Sequence, residues 1–349
     1  MRALTVIPGS PGSAAVRDVP DPAPGEADLL VDGLAVGVCG TDREIAAGEY
    51  GWAPPGQEPL VLGHESLGRV RAAPQGSGST TGDLVIGVVR RPDPVPCGAC
   101  AHGAFDMCRN GRYTERGIKE LPGYASESWC VEADYTVRID PALGDAGVLL
   151  EPASVVAKAW QQVELIGGRS WFEPRRVLVT GAGPIGLLAA LLGMQRGLDV
   201  HVLDRVHDGV KPRLVHDLGA TYHASGFDDA VEAGRPDVVI EATGEAPLVL
   251  AAMSGTGPYG LTCLTGVSPA GPGTAGDAQP ARTAPVSTLR VRRTPRLPRL
   301  PGDRRRVVRR TSRRERPFVA LGAGVRPCPS AVIDPSPASG TAPARVSAA

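Results

Sequence analysis

Apolar residues follow two different patterns along this chain, and the change between them marks its organisation. Val177–Thr180 reads Val-Leu-Val-Thr, a short run of the kind that a fully covered parallel sheet buries. It leads into Gly181-Ala182-Gly183-Pro184-Ile185-Gly186, and an apolar segment of helical length follows through Leu187 to Met194. A second run, Asp199 to Leu203, ends at Asp204. Strand, glycine turn, helix and strand in that order predict a βαβ unit. Asp237–Glu241 and Leu261–Val267 predict two further strands of the same sheet, and residues 152–170 place Val155, Val156, Ala159 and Val163 on one face of a helix. Upstream the pattern is shorter. Residues 1–36 break into brief stretches between Pro- and Gly-rich turns, Leu29 to Val38 alternates loosely, and Gly82-Asp83-Leu84-Val85 marks a later turn. Short strands between frequent turns indicate a small β-barrel.

The glycine turn carries specific chemistry. Gly181 lets the chain reverse sharply, Gly183 lets backbone approach a pyrophosphate, and Gly186 lets helix and strand pack closely. The helix opening at Pro184 and Ile185 then presents unpaired N–H groups to the phosphates. Glycine-rich turns are common, and the flanking strands are what turn this one into a dinucleotide site. Asp204 stands where an acidic residue would take the adenosine ribose hydroxyls, and Arg205 beside it could accept a 2′-phosphate, so NAD and NADP both remain open. Thr243, after the strand Asp237–Glu241, and Thr265-Gly266, at the end of Leu261–Val267, would lie against the cofactor.

Length and charge refine this picture. A chain of 349 residues accommodates two ordinary domains. No run of about 18 apolar residues suggests a membrane span. The opening MRALTVIPGS lacks the apolar core of a signal peptide, so a cytoplasmic protein is expected. Three of the seven cysteines cluster and the rest are scattered, which suits metal ligands in a reduced compartment better than disulfides. The net charge of zero hides an asymmetry. Residues 1–270 hold 21 Lys and Arg against 33 Asp and Glu, whereas residues 271–349 hold 16 Arg, no Lys and 4 Asp and Glu.

Metal chemistry is suggested in the barrel region by Cys39-Gly40-Thr41-Asp42 and by Gly63-His64-Glu65, with Glu151-Pro152 at its end. Thiolate, imidazole and carboxylate are zinc donors, and a catalytic zinc leaves one position open. Singly, each has a plainer explanation: a buried Cys, a core His, a first-turn Glu. Together, upstream of a dinucleotide motif, they read as a metal site.

These motifs and the Gly181–Gly186 turn resemble the zinc-dependent medium-chain dehydrogenase superfamily over residues 1 to about 270. The resemblance implies an α/β chain in which a GroES-like barrel carries zinc and a Rossmann domain carries NAD(P). The boundaries it implies are 1–155 for the barrel and 156–271 for an incomplete Rossmann domain. Gly111-Arg112-Tyr113-Thr114-Glu115-Arg116-Gly117-Ile118-Lys119, Gly123-Tyr124 and Leu150–Ala159 resemble the glucose 1-dehydrogenase branch. Glu44, where polyol dehydrogenases usually carry a His, favours the same branch. The resemblance implies Cys39 and His64 as zinc ligands, with Glu65 and Glu151 completing the shell directly or through water and also touching a sugar. It implies Thr41 as the hydroxyl that passes the substrate proton outward and Glu115 as a sugar-binding carboxylate. The plainer reading of Glu115 is a surface ion pair with Arg112 or Arg116. A sugar or polyol substrate and a homo-oligomer are expected from the same likeness. Polyol or alcohol oxidation is the neighbouring activity, and an inactive nucleotide-binding product is the further alternative.

Cys97, Cys100 and Cys108 lie where the superfamily often holds a structural zinc with four cysteines. Gly103 stands at one of those positions, and His102 or Asp106 could supply the missing donor. Both a second zinc and a metal-free loop remain open. Residues 272–349, rich in Arg and with 12 Pro, keep no apolar period. Such a segment is expected to lack a stable fold. A basic arm for nucleic acid is one reading. An out-of-frame stretch of a GC-rich gene accounts better for its Arg, Pro, Ala and Gly content, which makes a nucleic-acid partner the poorer expectation.

Overall fold

The computed structural model describes residues 1–232 and 234–266, and the backbone of Arg290–Val291. Expectations for the rest of 272–349, and for Val267, lie outside the described residues. The first half of the chain is antiparallel. Strands β1 (Arg2–Val6), β2 (Ala15–Asp18) and β3 (Asp28–Gly37) are followed by helix α1 (Gly40–Ala46), then β4 (Leu60–Val61), β5 (Glu65–Ala72), β6 (Leu84–Gly87) and β7 (Arg90–Arg91). The short helix α2 (Gly98–Ala101) lies in a lobe between β7 and β8 (Thr114–Arg116), after which come β9 (Glu120–Leu121), β10 (Ser128–Glu132) and β11 (Thr136–Arg138). The central sheet runs β10-β3-β5-β6-β11, flanked by β2-β1-β4 and β7-β8-β9. Alternation in β3 buries Leu29 and Val31 against Val70, Val85, Tyr124, Trp129 and Val131, which form one core of the barrel. This is the small antiparallel barrel that the turn spacing implied.

The second half is a doubly wound unit. Helix α3 (Leu150–Gly167) enters it, followed by β12 (Arg176–Thr180), α4 (Pro184–Gln195), β13 (Asp199–Leu203), α5 (Val210–Asp217), β14 (Thr221–His223), α6 (Phe227–Glu232), β15 (Val238–Glu241), α7 (Ala246–Gly255) and β16 (Leu261–Leu264). The sheet order is β14-β13-β12-β15-β16, all parallel, and β17 (Arg290–Val291) pairs antiparallel at the β16 edge. The order reverses between β12 and β15, and ligands of such sheets bind outside the strand ends at that reversal. Val177, Val179, Val200, Val202, Val238 and Ile240 face one buried layer, which explains why these strands read as unbroken apolar runs.

Helix α3 belongs to both halves. Val156, Ala159, Trp160 and Val163 are buried in the Rossmann core, while Glu151 in the first turn faces the barrel site. The 155/156 boundary therefore falls inside one continuous helix. Trp160 is fully buried, its indole N–H donates to the Ala189 carbonyl at 3.4 Å, and Gly193 of α4 lies beneath its ring. Removing a buried Trp side chain of this kind costs about 3–5 kcal/mol.

Candidate metal and dinucleotide sites

Sheet register brings the first three candidate ligands together. Gly37 at the end of β3 pairs with Glu65 at the start of β5. Cys39 therefore lies two residues past one strand, opposite His64 one residue before the next. A Cβ on Gly37 would sit 1.9 Å from the Glu65 Oε2, so the missing side chain makes room for that carboxylate. The Cys39 Sγ is 3.2 Å from the His64 Nε2, and donor atoms of Cys39, His64 and Glu65 all lie within 4.8 Å of one another. His64 and Glu65 are buried and Cys39 is partly so.

Asp42 completes the arrangement and is the residue that motif reading missed. Cys39 caps α1: its Sγ accepts the Thr41 N–H at 3.3 Å, and its own N–H donates to the Asp42 Oδ2 at 2.9 Å. The other Asp42 oxygen, Oδ1, faces the His64 Nδ1 at 3.4 Å, and neither atom has a further hydrogen-bond partner. A carboxylate behind the non-ligating nitrogen fixes ring orientation in metal-binding histidines. Burial by itself lowers the His64 pKa, but the hydrogen bonds to Asp42 and Cys39 outweigh it and hold it well above its ordinary value. Asp42 shows the converse: burial raises it, and His64 with the Cys39 amide brings it below the usual carboxylate range.

Glu151 is not a member of the 4.8 Å cluster. It borders the site electrostatically: burial pushes its pKa up to about 7, with His64 pulling it down and Glu65, Glu115 and Asp42 pushing it up. Burial likewise raises Glu65. Glu115 is buried rather than on the surface, and its partner is Arg90, neither Arg112 nor Arg116. Arg90 donates to Glu115 Oε1 through Nε at 3.0 Å and Nη2 at 2.7 Å, because the two residues are cross-strand neighbours of β7 and β8. Arg112 pairs with Asp93 and Arg116 with Glu132. The segment after Glu115 is pinned to the site by backbone: Tyr124 N–H donates to the Gly63 carbonyl at 2.9 Å, next to His64.

Sulfur, imidazole and carboxylate converging on one point, with the imidazole oriented from behind, fit a zinc ion. The lobe presents a second set. Cys97, Cys100 and Cys108 place their sulfurs within 4.8 Å, with Cys97 and Cys100 at 3.7 Å. Amide hydrogen bonds from Arg109 and Cys100 lower the Cys97 pKa to about 6, while burial and the neighbouring thiols raise Cys100. The candidate fourth donors turn elsewhere. His102 Nδ1 lies 2.7 Å from the Gly98 carbonyl, and Asp106 pairs with Lys158 at 3.0 Å.

The glycine turn supplies the dinucleotide cradle. Gly181 has φ +96°, a left-handed conformation that suits glycine. A Cβ on Gly186 would lie 1.7 Å from the Gly181 carbonyl oxygen, so the turn itself requires that glycine. Around Gly183 no heavy atom lies within 4 Å of a would-be Cβ, which is the open approach a pyrophosphate needs. Pro184 and Ile185 open α4 directly behind. Asp204 reaches the turn, its carboxylate accepting the Ala182 N–H at 2.7 Å, and Arg205 is exposed. Thr243 and Thr265 both attach to Glu241, a fully buried carboxylate that pattern reading passed over: its Oε1 accepts the Thr243 N–H at 2.8 Å, and its carbonyl accepts the Thr265 hydroxyl at 2.8 Å. Gly266 packs against Gly244 on the same loop. Arg90 and Glu241 left no sequence signal beyond an isolated charge in an ordered segment, whereas Asp42 stood inside the Cys39–Asp42 motif with no role assigned to it.

A metal cluster in the barrel and a phosphate cradle at the sheet reversal define a two-domain, zinc- and nucleotide-dependent oxidoreductase. Residues 25–141 match the alcohol dehydrogenase GroES-like domain, and residues 144–283 match the glucose dehydrogenase C-terminus. The second match runs past Gly271, beyond the point where the apolar pattern stops. Glucose 1-dehydrogenase of Thermoproteus tenax is 43% identical over 272 residues, covering 77% of this chain and 76% of that protein. The Methanocella arvoryzae glucose 1-dehydrogenase is 40% identical over 275 residues, covering 77% of each. Haloferax mediterranei glucose dehydrogenase, solved in complex with NADP, Zn and gluconolactone, superposes with a TM-score of 0.71 at 31% identity over 81% of each chain. The chain belongs to the glucose 1-dehydrogenase branch of the zinc-dependent medium-chain dehydrogenases. Among the described residues, no helix is long and apolar enough to cross a membrane.

Proposed function

We propose that this protein oxidises C1 of an aldose such as glucose, giving an aldonolactone, NAD(P)H and a proton. The observation that carries this is the convergence of Cys39, His64 and Glu65, backed by Asp42 and bordered by Glu151 and Glu115. Zinc held by Cys39, His64 and Glu65, with Glu151 direct or through water, supplies a Lewis acid that acidifies the anomeric hydroxyl. The nicotinamide supplies the hydride acceptor. Thr41, in the first turn of α1, stands beside Cys39 to take the released proton toward solvent. Both Arg90 donors fall on the Glu115 Oε1, which leaves Oε2 to accept a sugar hydroxyl. Glu151, in the first turn of α3 at the edge of the same site, accepts a second hydroxyl. The Gly181–Gly186 turn holds the pyrophosphate, with Asp204 at the ribose. The lobe cysteines supply three of the four donors that a second, structural zinc takes.

The test is a substrate panel on the zinc-loaded full chain, following nicotinamide reduction with glucose, galactose, xylose, sorbitol and simple alcohols. Turnover of aldoses well above sorbitol is expected. Zinc-loaded protein that reduces neither NAD+ nor NADP+ with any aldose would overturn the reading.

A further inference from the structure

Lys211 is placed against the field of its own helix. It lies in the first turn of α5, where the helix dipole disfavours a cation. What holds it there is Asp204: the Lys211 Nζ donates to the Asp204 Oδ2 at 2.7 Å. The same Oδ2 accepts the Ala182 N–H of the glycine turn at 2.7 Å, and Oδ1 accepts the Val206 N–H at 3.2 Å. Asp204's side chain is 7% exposed and Lys211's is 40% exposed, so the carboxylate is enclosed while the ammonium borders solvent. Arg205, the next residue, is exposed and has no carboxylate partner among the described residues.

A bare aspartate at this strand end accepts ribose hydroxyls and repels a 2′-phosphate, which is how it selects NAD. Here the chain neutralises that aspartate itself. We propose that Lys211 is the specificity-determining residue of the adenosine site: by offsetting the Asp204 charge it admits the 2′-phosphate of NADP, with Arg205 free to meet it. This rests on the dinucleotide reading of the Gly181–Gly186 turn. The Asp204 oxygens keep their amide donors whichever nucleotide enters, so ribose binding persists without Lys211 and only phosphate tolerance depends on it.

The test titrates the full chain with NADPH and NADH, following fluorescence of the reduced nicotinamide, with no turnover required. Lys211→Met is expected to weaken NADPH about tenfold while NADH moves less than about threefold, the scale for uncovering one like charge beside a phosphate. Lys211→Arg keeps the wild-type ratio. Asp204→Asn combined with Lys211→Met brings the ratio back toward wild type, because no uncovered charge remains. A Lys211→Met ratio equal to wild type overturns the proposal. So does a double variant as selective against NADPH as the single one, since the lysine would then act on the phosphate directly. Wild-type protein that binds neither nucleotide overturns the dinucleotide reading itself, before any variant is compared.

Discussion

Cys39, His64 and Glu65 converge within 4.8 Å, and so do Cys97, Cys100 and Cys108, yet the two sets are held in opposite ways. The first is fixed by strand register, has His64 and Glu65 buried, and is braced by Asp42 behind His64. The second sits in a lobe between β7 and β8, around the short helix α2, with its candidate fourth donors engaged elsewhere. Closeness of ligand atoms is common to both. The difference lies in what orients the donors: strand register and a bracing carboxylate in one set, a short helix and its flanking loop in the other.

The widest gap between the sites is expected in activity. His64→Ala should lower kcat/KM by about a thousandfold or more, the scale of losing Lewis-acid assistance, whereas Cys100→Ser should leave it within about threefold. Steady-state kinetics on both variants decides, and equal losses would erase the contrast. Next in size is the bracing carboxylate. Asp42→Asn should weaken zinc binding about 10–100-fold, measured by chelator competition with absorbance readout. A retained affinity would mean that the imidazole is positioned by packing alone. Chelation then separates the two ions in time. Dialysis of the native protein against EDTA should remove the lobe metal first with activity intact, read as metal content per chain by mass spectrometry. Metal and activity leaving together would contradict the contrast between the two sets.

The smallest effect concerns the root of the lobe. Glu132 pairs with Arg91 before it at 2.6 Å and with Arg116 after it at 3.3 Å, tying both ends to β10. Burial raises the Glu132 pKa, but the hydrogen bonds and the two guanidiniums win and bring it down to about 2 from 4.5. A depressed carboxylate contributes stability that is complete above its unfolded pKa and lost as pH falls through the folded one. The expected window is therefore pH 4.5 to 2. Discounted for the exposure of Glu132, the contribution is about 1 kcal/mol. Thermal melts of wild type and Glu132→Gln should converge as pH falls through that window, and parallel curves would remove Glu132 from the account.

Legibility from sequence followed the range of the interaction. Asp199–Leu203 forms the strand its apolar run implied, and Leu261–Val267 is strand only to Leu264 within the described residues. Cys39, His64 and Glu65 were legible because each sits in a short motif. Asp42 lay in plain view three residues after Cys39, but its role depends on His64, which only the β3–β5 register delivers. Glu115 shows the hazard of reasoning from neighbours. Adjacent strand residues point to opposite faces, so Arg116 is turned away, while Arg90 is the directly opposed cross-strand residue. Lys211 depends on the end of β13, where Asp204 lies, while the Glu241 carboxylate turns back onto the Thr243 amide two residues on, a local contact that an apolar strand pattern does not display.

The Cys39 sulfur is both the cap of α1 and one of the three candidate metal donors. Its hydrogen bond from the Thr41 amide strengthens as the sulfur carries more negative charge, because ionised acceptors bind N–H groups more tightly than neutral ones. A metal that ionises this sulfur would therefore favour the first turn of the helix, and the wound turn would favour the metal. Amide exchange at Thr41 becomes a readout of occupancy at an atom that carries no spectroscopic label of its own.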